Sequence, residues 1–175
     1  FGLSVLLPLG KLILTAFIAT VIFVVVTYLP IIKLIGMKIS DYLKGAFEPW
    51  LIAFTTCSSA AALAVNLEAS RKMGASKAIA SFAIPLGNTI NMNGTSIYMG
   101  VTAVFAAEVF GIDLTLTQQF QIVLMGVLAA VGTAGVPGAG LIMTTLVFTE
   151  VGIPLEAVAL IAGIDRILDM IRTSV

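Results

Sequence analysis

Long apolar stretches, separated by short polar links, run along the whole chain. The first uninterrupted stretch starts at Lys11, and at a rise of about 1.5 Å per residue it is long enough for a helix that spans a bilayer. We therefore predict a spanning helix over residues 11–36. Residues 1–10 are interpreted as the end of a preceding membrane element, because Pro8 and Gly10 both weaken a helix.

A second apolar segment, residues 39–72, has basic residues at both ends. If this segment crossed the membrane, its two basic clusters would lie on opposite sides, against the positive-inside tendency. We therefore predict a re-entrant helical hairpin, hairpin 1, which enters and leaves on the cytoplasmic side. Its centre, residues 55–62, is rich in small and hydroxyl-bearing side chains, which allow a neighbour or a ligand to approach closely. The flanking basic residues are Lys33, Lys38, Lys44, Arg71, Lys72 and Lys77.

A third segment, residues 77–110, is too long for a simple span and is interrupted between residues 85 and 95. Pro85 removes a helix hydrogen bond and Gly87 loosens the chain, so carbonyl groups are freed at membrane depth. With the Asn and Thr oxygens of the same stretch, these carbonyls would form a cation site. The alternative is a Pro-kinked helix whose Asn side chains bond to neighbouring helices.

A fourth segment, residues 114–150, is broken by a glycine-rich stretch at residues 132–140, which we call the glycine tip. The charged residues that flank this segment are all acidic, as expected outside the cytoplasm. We therefore predict a second re-entrant hairpin, hairpin 2, which enters from the face opposite to hairpin 1.

The last segment, residues 153–175, predicts a helix with charges at membrane depth, where a charge is costly and usually functional. Asp165, Asp169 and Arg172 fall on one face of that helix, together with Thr173. An Asp can hold an ammonium group and an Arg can grip a carboxylate with two hydrogen bonds. The alternative is that these residues and Arg166 only neutralise one another through pairs three and four residues apart.

Composition supports a membrane protein. Hydrophobic residues make up 59% of the 175 residues and charged residues 10%, and the mean hydropathy is +1.14. These values predict a multi-pass integral protein of the cell membrane. The net charge of zero gives no indication of a nucleic-acid partner, and the absence of His removes the usual general base. Because the chain starts and stops within apolar patterns, we expect it to be a piece of a longer protein.

Two units of hairpin followed by helix, entering from opposite sides, define the predicted architecture. Paired broken segments of this kind are typical of secondary transporters with an inverted repeat and a binding site near the bilayer midplane. The predicted fold is an all-α membrane protein, the transport-domain core of such a transporter, and the protein is not expected to be an enzyme.

With these motifs in view, the chain resembles the sodium:dicarboxylate symporter family, the glutamate and aspartate transporters. The resemblance covers the chain from the helix at Lys11 to its end. It implies an elevator-type symporter in which hairpin 2 gates the substrate and the transport domain slides against a scaffold that forms a homotrimer. Most of that scaffold would precede Phe1. The motifs that carry the resemblance are Thr56-Cys57-Ser58-Ser59, which we call the serine tip, Asn91-Met92-Asn93-Gly94-Thr95, the glycine tip, and Asp165, Asp169, Arg172 and Thr173.

The resemblance also implies a role for individual residues. Asp169 resembles the residue that holds the substrate ammonium group, and Arg172 the residue that holds the side-chain carboxylate. The implied substrate site is Ser59, Thr95, Val136, Gly140, Asp169, Arg172 and Thr173. The implied sodium ligands are Gly87, Asn91, Asn93 and, through their backbone carbonyls, Thr89, Val131 and Thr133. No organic cofactor is implied, and whether protons replace some of the sodium is left open.

The chain departs from the family pattern at three places. Asn93 stands where the family usually has Asp, which removes a charge from one cation site and puts the number of coupled sodium ions in doubt. Cys57 and Ala60 stand where relatives carry Ser or Arg. The chain also ends before the Asn and Asp that, in the family, complete the substrate and sodium sites.

Other functions fit the residues less well. C4-dicarboxylates offer no ammonium for Asp169, and neutral amino acids would leave Arg172 without a second carboxylate. Acidic amino acids satisfy both residues, although aspartate and glutamate are not distinguished. An intramembrane aspartyl protease needs two facing carboxylates that share a proton, whereas Asp165 and Asp169 lie on one helix.

Overall fold

The computed structural model of the protein describes residues 6–175, and every regular element in that range is helical. The predicted all-α class is therefore confirmed. In chain order the elements are α1 (Leu6–Phe23), a π-helical segment (Val24–Tyr28), α2 (Leu29–Leu34), α3 (Ile39–Thr56), α4 (Ser59–Lys72), α5 (Lys77–Ile90), α6 (Asn93–Val109), α7 (Leu116–Val131), α8 (Ala139–Val151), α9 (Glu156–Ala162) and α10 (Asp165–Thr173).

The first helix is longer than the sequence predicted. From α1 through the π-helical segment to α2 the chain is helical without a break, and within residues 6–175 this is the one helix long and apolar enough to cross a membrane. It already includes Leu6, so the boundary expected after residue 10 was wrong, and both Pro8 and Gly10 lie within the helix. Residues 1–5 lie outside the described range.

Two pairs of helices pack against each other across short connections. In the first pair, α3 and α4 are joined at Cys57 and Ser58. Cys57 has a left-handed backbone (φ 54°), and the Ser58 hydroxyl caps α4 by accepting from the Ala61 N–H at 3.1 Å. In the second pair, α7 and α8 are joined through the glycine tip, where Gly138 takes a left-handed conformation (φ 78°).

The interruption between α5 and α6 is short. Helix α5 continues through Pro85 to Ile90, and α6 begins at Asn93, so the break is confined to Asn91 and Met92. The break leaves the first N–H groups of α6 without intrahelical partners, while Gly94 and Thr95 in its first turn are buried.

The final segment is not the single helix expected over residues 153–175. Helix α9 ends at Ala162 and α10 starts at Asp165, because Gly163 has weak helix propensity and Ile164 leaves the helical region (φ −119°, ψ 1°). Asp165, Asp169, Arg172 and Thr173 all lie in α10, so the break before this helix does not change the face that they share.

Helix α6 lies at the centre of the molecule and contacts α1, α7, α8 and α10. Its buried face combines Tyr98 and Met99 with small residues such as Ala103, which lets neighbouring helices approach closely. The outer faces of α1, α7 and α8 expose many Leu, Ile, Val and Phe side chains, as expected for surfaces that contact lipid or other parts of a membrane protein.

Candidate functional site

A cavity of about 740 Å³ lies between the serine tip, the glycine tip, the break before α6 and the end of α10. Every residue of the predicted substrate site lines this cavity. Of the predicted sodium ligands, Gly87, Asn91 and Thr133 line it, whereas Thr89, Asn93 and Val131 do not. The substrate-site residues at the cavity are Ser59, Thr95, Val136, Gly140, Asp169, Arg172 and Thr173.

Arg172 is the buried cation at the cavity wall. Its side chain is 5% exposed, and its Nε donates to Asp169 Oδ1 at 3.0 Å. Its Nη1 lies 3.5 Å from Asp165 Oδ1, and the guanidinium lies over the ring of Tyr98, 4.5 Å from the centroid. Within residues 6–175, this Nη1 is the buried side-chain atom that makes no hydrogen bond. The guanidinium therefore keeps donor capacity for an incoming carboxylate.

Asp169 is a buried carboxylate with three donors. Its Oδ1 accepts from Arg172 Nε and from the Thr173 hydroxyl at 2.8 Å, and its Oδ2 accepts from the Gly138 N–H at 2.8 Å. These bonds offset the cost of burying the charge. The Gly138 bond joins α10 to the glycine tip, and Oδ2 accepts from this single donor, so it keeps acceptor capacity for a ligand ammonium group.

The two tips contact each other through one carbonyl. Gly135 O accepts from the Ser58 hydroxyl at 2.8 Å and from the Ala60 N–H at 3.2 Å. A Cβ built at Gly135 would overlap the Ser59 hydroxyl, so the close contact depends on glycine. The tips thus meet over the cavity by hydrogen bonds to a single backbone oxygen.

Two other glycines leave room for Arg172. A Cβ at Gly140 would collide with the guanidinium, and a Cβ at Gly94 would collide with the Arg172 backbone. The first keeps the α8 N-terminus against the charged group, and the second lets α6 pack directly on α10.

Asn93 does not line the cavity and bonds to Tyr28 at the end of the π-helical segment. Its Nδ2 donates to the Tyr28 hydroxyl at 3.2 Å, and that hydroxyl donates to Val175 O at 3.0 Å. Because a hydroxyl has one proton to donate, the phenol oxygen must accept from the amide, which fixes the orientation of the Asn93 side chain. The π-helical segment ends at Tyr28, a kind of irregularity that is frequent at functional sites.

The remaining predicted ligands are on the outside of the chain. Thr89 and Val131, which were expected to bind through their carbonyls, are both exposed, and the Thr89 hydroxyl bonds to the carbonyls of Pro85 and Leu86. Among the described residues, no group of three or more His, Cys, Asp or Glu side chains could hold a metal ion.

Both interpretations of the charged helix describe part of the structure. Arg172 pairs with Asp169 and Asp165, which is the internal neutralisation considered from the sequence, yet the same residues line the cavity. Arg166 is exposed and takes no part in the ion pairs of residues 6–175.

The predicted site omitted two groups that contact it directly. Tyr98 supports Arg172 from α6, but one tyrosine in an apolar helix has the same pattern as an ordinary core residue. The Gly138 N–H donates to Asp169. Every residue except proline has a backbone N–H, so only the glycine-rich context of Gly138 could have indicated this contact.

Comparison with known proteins identifies the family. The sequence profile of the Sodium:dicarboxylate symporter family matches residues 1–175, and the chain belongs to this family. The protein is therefore an integral membrane protein of a transporter family, and the resemblance inferred from the motifs is confirmed.

Curated relatives are similar along the whole chain. A proton/sodium-glutamate symport protein of Geobacillus stearothermophilus is 38% identical over 175 residues, which cover 100% of this chain and 42% of the relative. The proton/glutamate-aspartate symporter of Escherichia coli (strain K12) is 37% identical, covering 99% of this chain and 40% of the relative. A C4-dicarboxylate transport protein of Bacillus subtilis (strain 168) is 39% identical, covering 96% of this chain and 40% of the relative. The chain thus spans about two-fifths of the length of these relatives.

Proposed function

We propose that the whole protein is a cation-coupled symporter of acidic amino acids such as aspartate and glutamate. The observation that carries this proposal is the buried ion pair of Asp169 and Arg172 at the wall of a 740 Å³ cavity. A buried carboxylate and a buried guanidinium with a free donor together match a ligand that brings an ammonium and a second carboxylate. Relatives described as glutamate and glutamate-aspartate symporters support the same substrate class.

In the proposed binding mode, Asp169 holds the ammonium group and Arg172 the side-chain carboxylate. The hydroxyls of Thr95 and Thr173 and the backbone of Ser59, with that of Val136 and Gly140, complete the pocket. In this mode the glycine tip moves to admit the substrate, a movement supported by the few bonds that hold it, from Gly138 N–H to Asp169 Oδ2 and from the Ser58 hydroxyl to Gly135 O.

We propose that sodium ions drive substrate uptake and that protons contribute part of the coupling. The proposed sodium ligands are carbonyl, hydroxyl and amide oxygens, the donors that hard cations prefer. Gly87, Asn91 and Thr133 line the cavity and so are the better supported members of this set. The full proposed set is Gly87, Thr89, Asn91, Asn93, Val131 and Thr133.

The proposed architecture has two re-entrant hairpins, residues 39–72 and 114–150, in an inverted repeat within the bilayer. Hairpin 2 acts as the gate, and the chain moves as a transport domain against a scaffold that forms a homotrimer. The basic residues at the base of α3–α4 and the acidic residues around α7–α8 support entry from opposite faces.

Transport of C4-dicarboxylates is the second candidate, because a relative with 39% identity is described as a C4-dicarboxylate transport protein. The ion pairs also weaken one argument against neutral amino acids. Since Asp165 and Asp169 both lie next to Arg172, a ligand without a second carboxylate would not leave the guanidinium unpaired.

Competition binding separates these substrate classes. Radiolabelled L-aspartate is bound to the purified full-length protein in a buffer that contains a sodium salt. Unlabelled L-glutamate, succinate or L-serine is then added as a competitor. We expect L-glutamate to displace the label at the lowest concentration, and replacing sodium by choline to weaken binding. Stronger displacement by succinate would favour the dicarboxylate function, and stronger displacement by L-serine would favour a neutral substrate.

A further inference from the structure

Asp165 is a buried carboxylate that the proposed binding mode does not use. It is 7% exposed and lies at the start of α10, two turns from Arg172. Its Oδ1 accepts from the Tyr98 hydroxyl at 2.8 Å and lies 3.5 Å from Arg172 Nη1. A buried carboxylate of this kind keeps its charge only while a cation or several donors compensate it.

One cation, Arg172, lies next to two buried carboxylates, Asp165 and Asp169. All three residues are on α10. The charged residues of α1 and α9, Lys11 and Glu156, are exposed. The other groups that face this cluster are uncharged at neutral pH and are Tyr98 from α6, the Thr144 hydroxyl beside it from α8, and the Cys57 thiol at the serine tip.

Arg172 is shared unequally between the two carboxylates. Its Nε makes a hydrogen bond of 3.0 Å to Asp169, whereas its Nη1 is 3.5 Å from Asp165 and makes no hydrogen bond among the described residues. Asp165 therefore has the weaker hold on the shared cation.

An acidic amino acid changes the charge of this cluster. Asp165, Asp169 and Arg172 together carry one net negative charge, and an acidic amino acid brings one more. If the side-chain carboxylate draws the Arg172 guanidinium toward the cavity, Asp165 keeps the Tyr98 hydroxyl and loses its cation. A proton on Asp165 would restore the original net charge in a site of low dielectric.

We propose that Asp165 is the proton-binding residue of this transporter and takes up one proton when an acidic amino acid binds. The proton comes from water or a buffer acid and forms an O–H bond on the Asp165 carboxylate, which becomes neutral. When the substrate leaves, Arg172 returns to Asp165 and the proton is released. This inference rests on the proposed function, since it requires an acidic substrate at Arg172. It also gives a structural basis for coupling to protons as well as to sodium.

Proton uptake on binding is the direct test. L-Aspartate is added to the purified full-length protein in a weakly buffered sodium solution that contains a pH indicator. The native protein should take up about one proton per bound aspartate, so the affinity should fall up to about tenfold per pH unit as the pH rises. Asp165→Asn should take up none, and its affinity should not depend on pH. Glu108→Gln, which removes an exposed carboxyl at the end of α6, should behave as the native protein.

Tyr98→Phe keeps the inference testable if Asp165→Asn does not fold or bind. This variant keeps the ring under Arg172 but removes the donor to Asp165, so the pH range of proton uptake should move upward. Proton uptake by Asp165→Asn, or an unchanged pH range in Tyr98→Phe, would overturn the inference. Aspartate binding by the native protein without proton uptake would overturn the inference alone, and no binding of acidic amino acids would overturn the proposed function as well.

Discussion

At the residue scale, Arg172 organises the buried polar groups of the molecule. It contacts Asp169 and Asp165, stacks on Tyr98 and has two glycines against it, Gly94 and Gly140. Removing its charge would leave two buried carboxylates without a cation, which is more costly than the loss of one contact. The substrate selectivity of the site should therefore depend on this side chain.

Arg172→Ala should abolish measurable binding of aspartate and glutamate, at a cost of about 3–5 kcal/mol for breaking a buried ion pair. The enlarged, less basic site is expected to admit serine. Equilibrium binding of radiolabelled aspartate measures the loss, and competition with serine measures the gain. Arg166→Ala is the matched control, because Arg166 is exposed and makes no ion pair among the described residues. Native aspartate affinity in Arg172→Ala would contradict the assignment.

Asn93→Asp should steepen the dependence of aspartate affinity on sodium concentration. The Asn93 amide donates to Tyr28, and a carboxylate at this position would offer a negative charge to a cation instead. The measurement is the slope of aspartate affinity against sodium concentration. Gln119→Glu adds the same charge on the exposed face of α7 and should leave the slope unchanged. Equal slopes in Asn93→Asp and the native protein would mean that Asn93 is not a weakened cation ligand.

The sequence predicted the site residues that carry a charge within an apolar segment. Asp169 and Arg172 could be predicted because a charge at membrane depth needs a partner or a function. Tyr98 could not be predicted, because its role depends on tertiary packing. Its ring lies under the Arg172 guanidinium and its hydroxyl donates to Asp165, both on another helix. The direction in which Asn93 points also depends on tertiary packing, since a side chain next to a helix break can face either side.

At the scale of elements, the serine tip and the glycine tip contact each other at the cavity. This contact consists of two hydrogen bonds to Gly135 O, and the adjacent Gly138 N–H bonds to Asp169. Few bonds hold the tips together, and glycines next to them lower the steric cost of a backbone change. We therefore expect the glycine tip to open during transport.

A disulfide between the tips should stop transport. A Cβ at Gly135 would lie 3.7 Å from the Ala60 Cβ, close to the separation of about 3.8 Å found in disulfides. The variant is Ala60→Cys with Gly135→Cys in a Cys57→Ser background, assayed by aspartate uptake. Oxidation should abolish uptake and reduction should restore it, while either single cysteine should be insensitive to oxidant. Uptake at the native rate with the disulfide formed would exclude a moving glycine tip.

Gly94→Ala should destabilise the protein by about 1–3 kcal/mol, as overpacking does. The added methyl group would collide with the Arg172 backbone where α6 packs on α10. Gly100→Ala, in the same helix, meets no atom within 4 Å and should be neutral or slightly stabilising. The measurement is thermal unfolding of the detergent-solubilised protein. A Tm for Gly94→Ala equal to that of Gly100→Ala would contradict the close packing of the two helices.

Helix breaks differ in how well the sequence predicts them. The breaks at the serine tip, at Asn91 and Met92, and at the glycine tip coincide with clusters of glycine, proline or hydroxyl residues. The break between α9 and α10 follows one glycine, Gly163, which a helix often tolerates. The boundary of α1 was also misplaced, because Pro8 and Gly10, which usually weaken a helix, both lie within it.

At the scale of the whole molecule, the chain belongs to the Sodium:dicarboxylate symporter family and spans about two-fifths of its curated relatives. Its central helix, α6, contacts α10, which carries the buried charges, and α7 and α8, which flank the glycine tip. Movement of that tip should therefore be coupled to occupancy of Asp169 and Arg172. The exposed apolar faces of α1, α7 and α8 are the proposed surfaces for lipid and for the scaffold.

The most direct test of this account is uptake of radiolabelled L-aspartate by the full-length protein reconstituted in liposomes, with ion gradients imposed one at a time. An inward sodium gradient should drive accumulation above equilibrium, and Arg172→Ala liposomes should accumulate none. An inward proton gradient should add to the accumulation in the native protein. Equal uptake with and without ion gradients, or accumulation of succinate in preference to aspartate, would contradict cation-coupled symport of acidic amino acids.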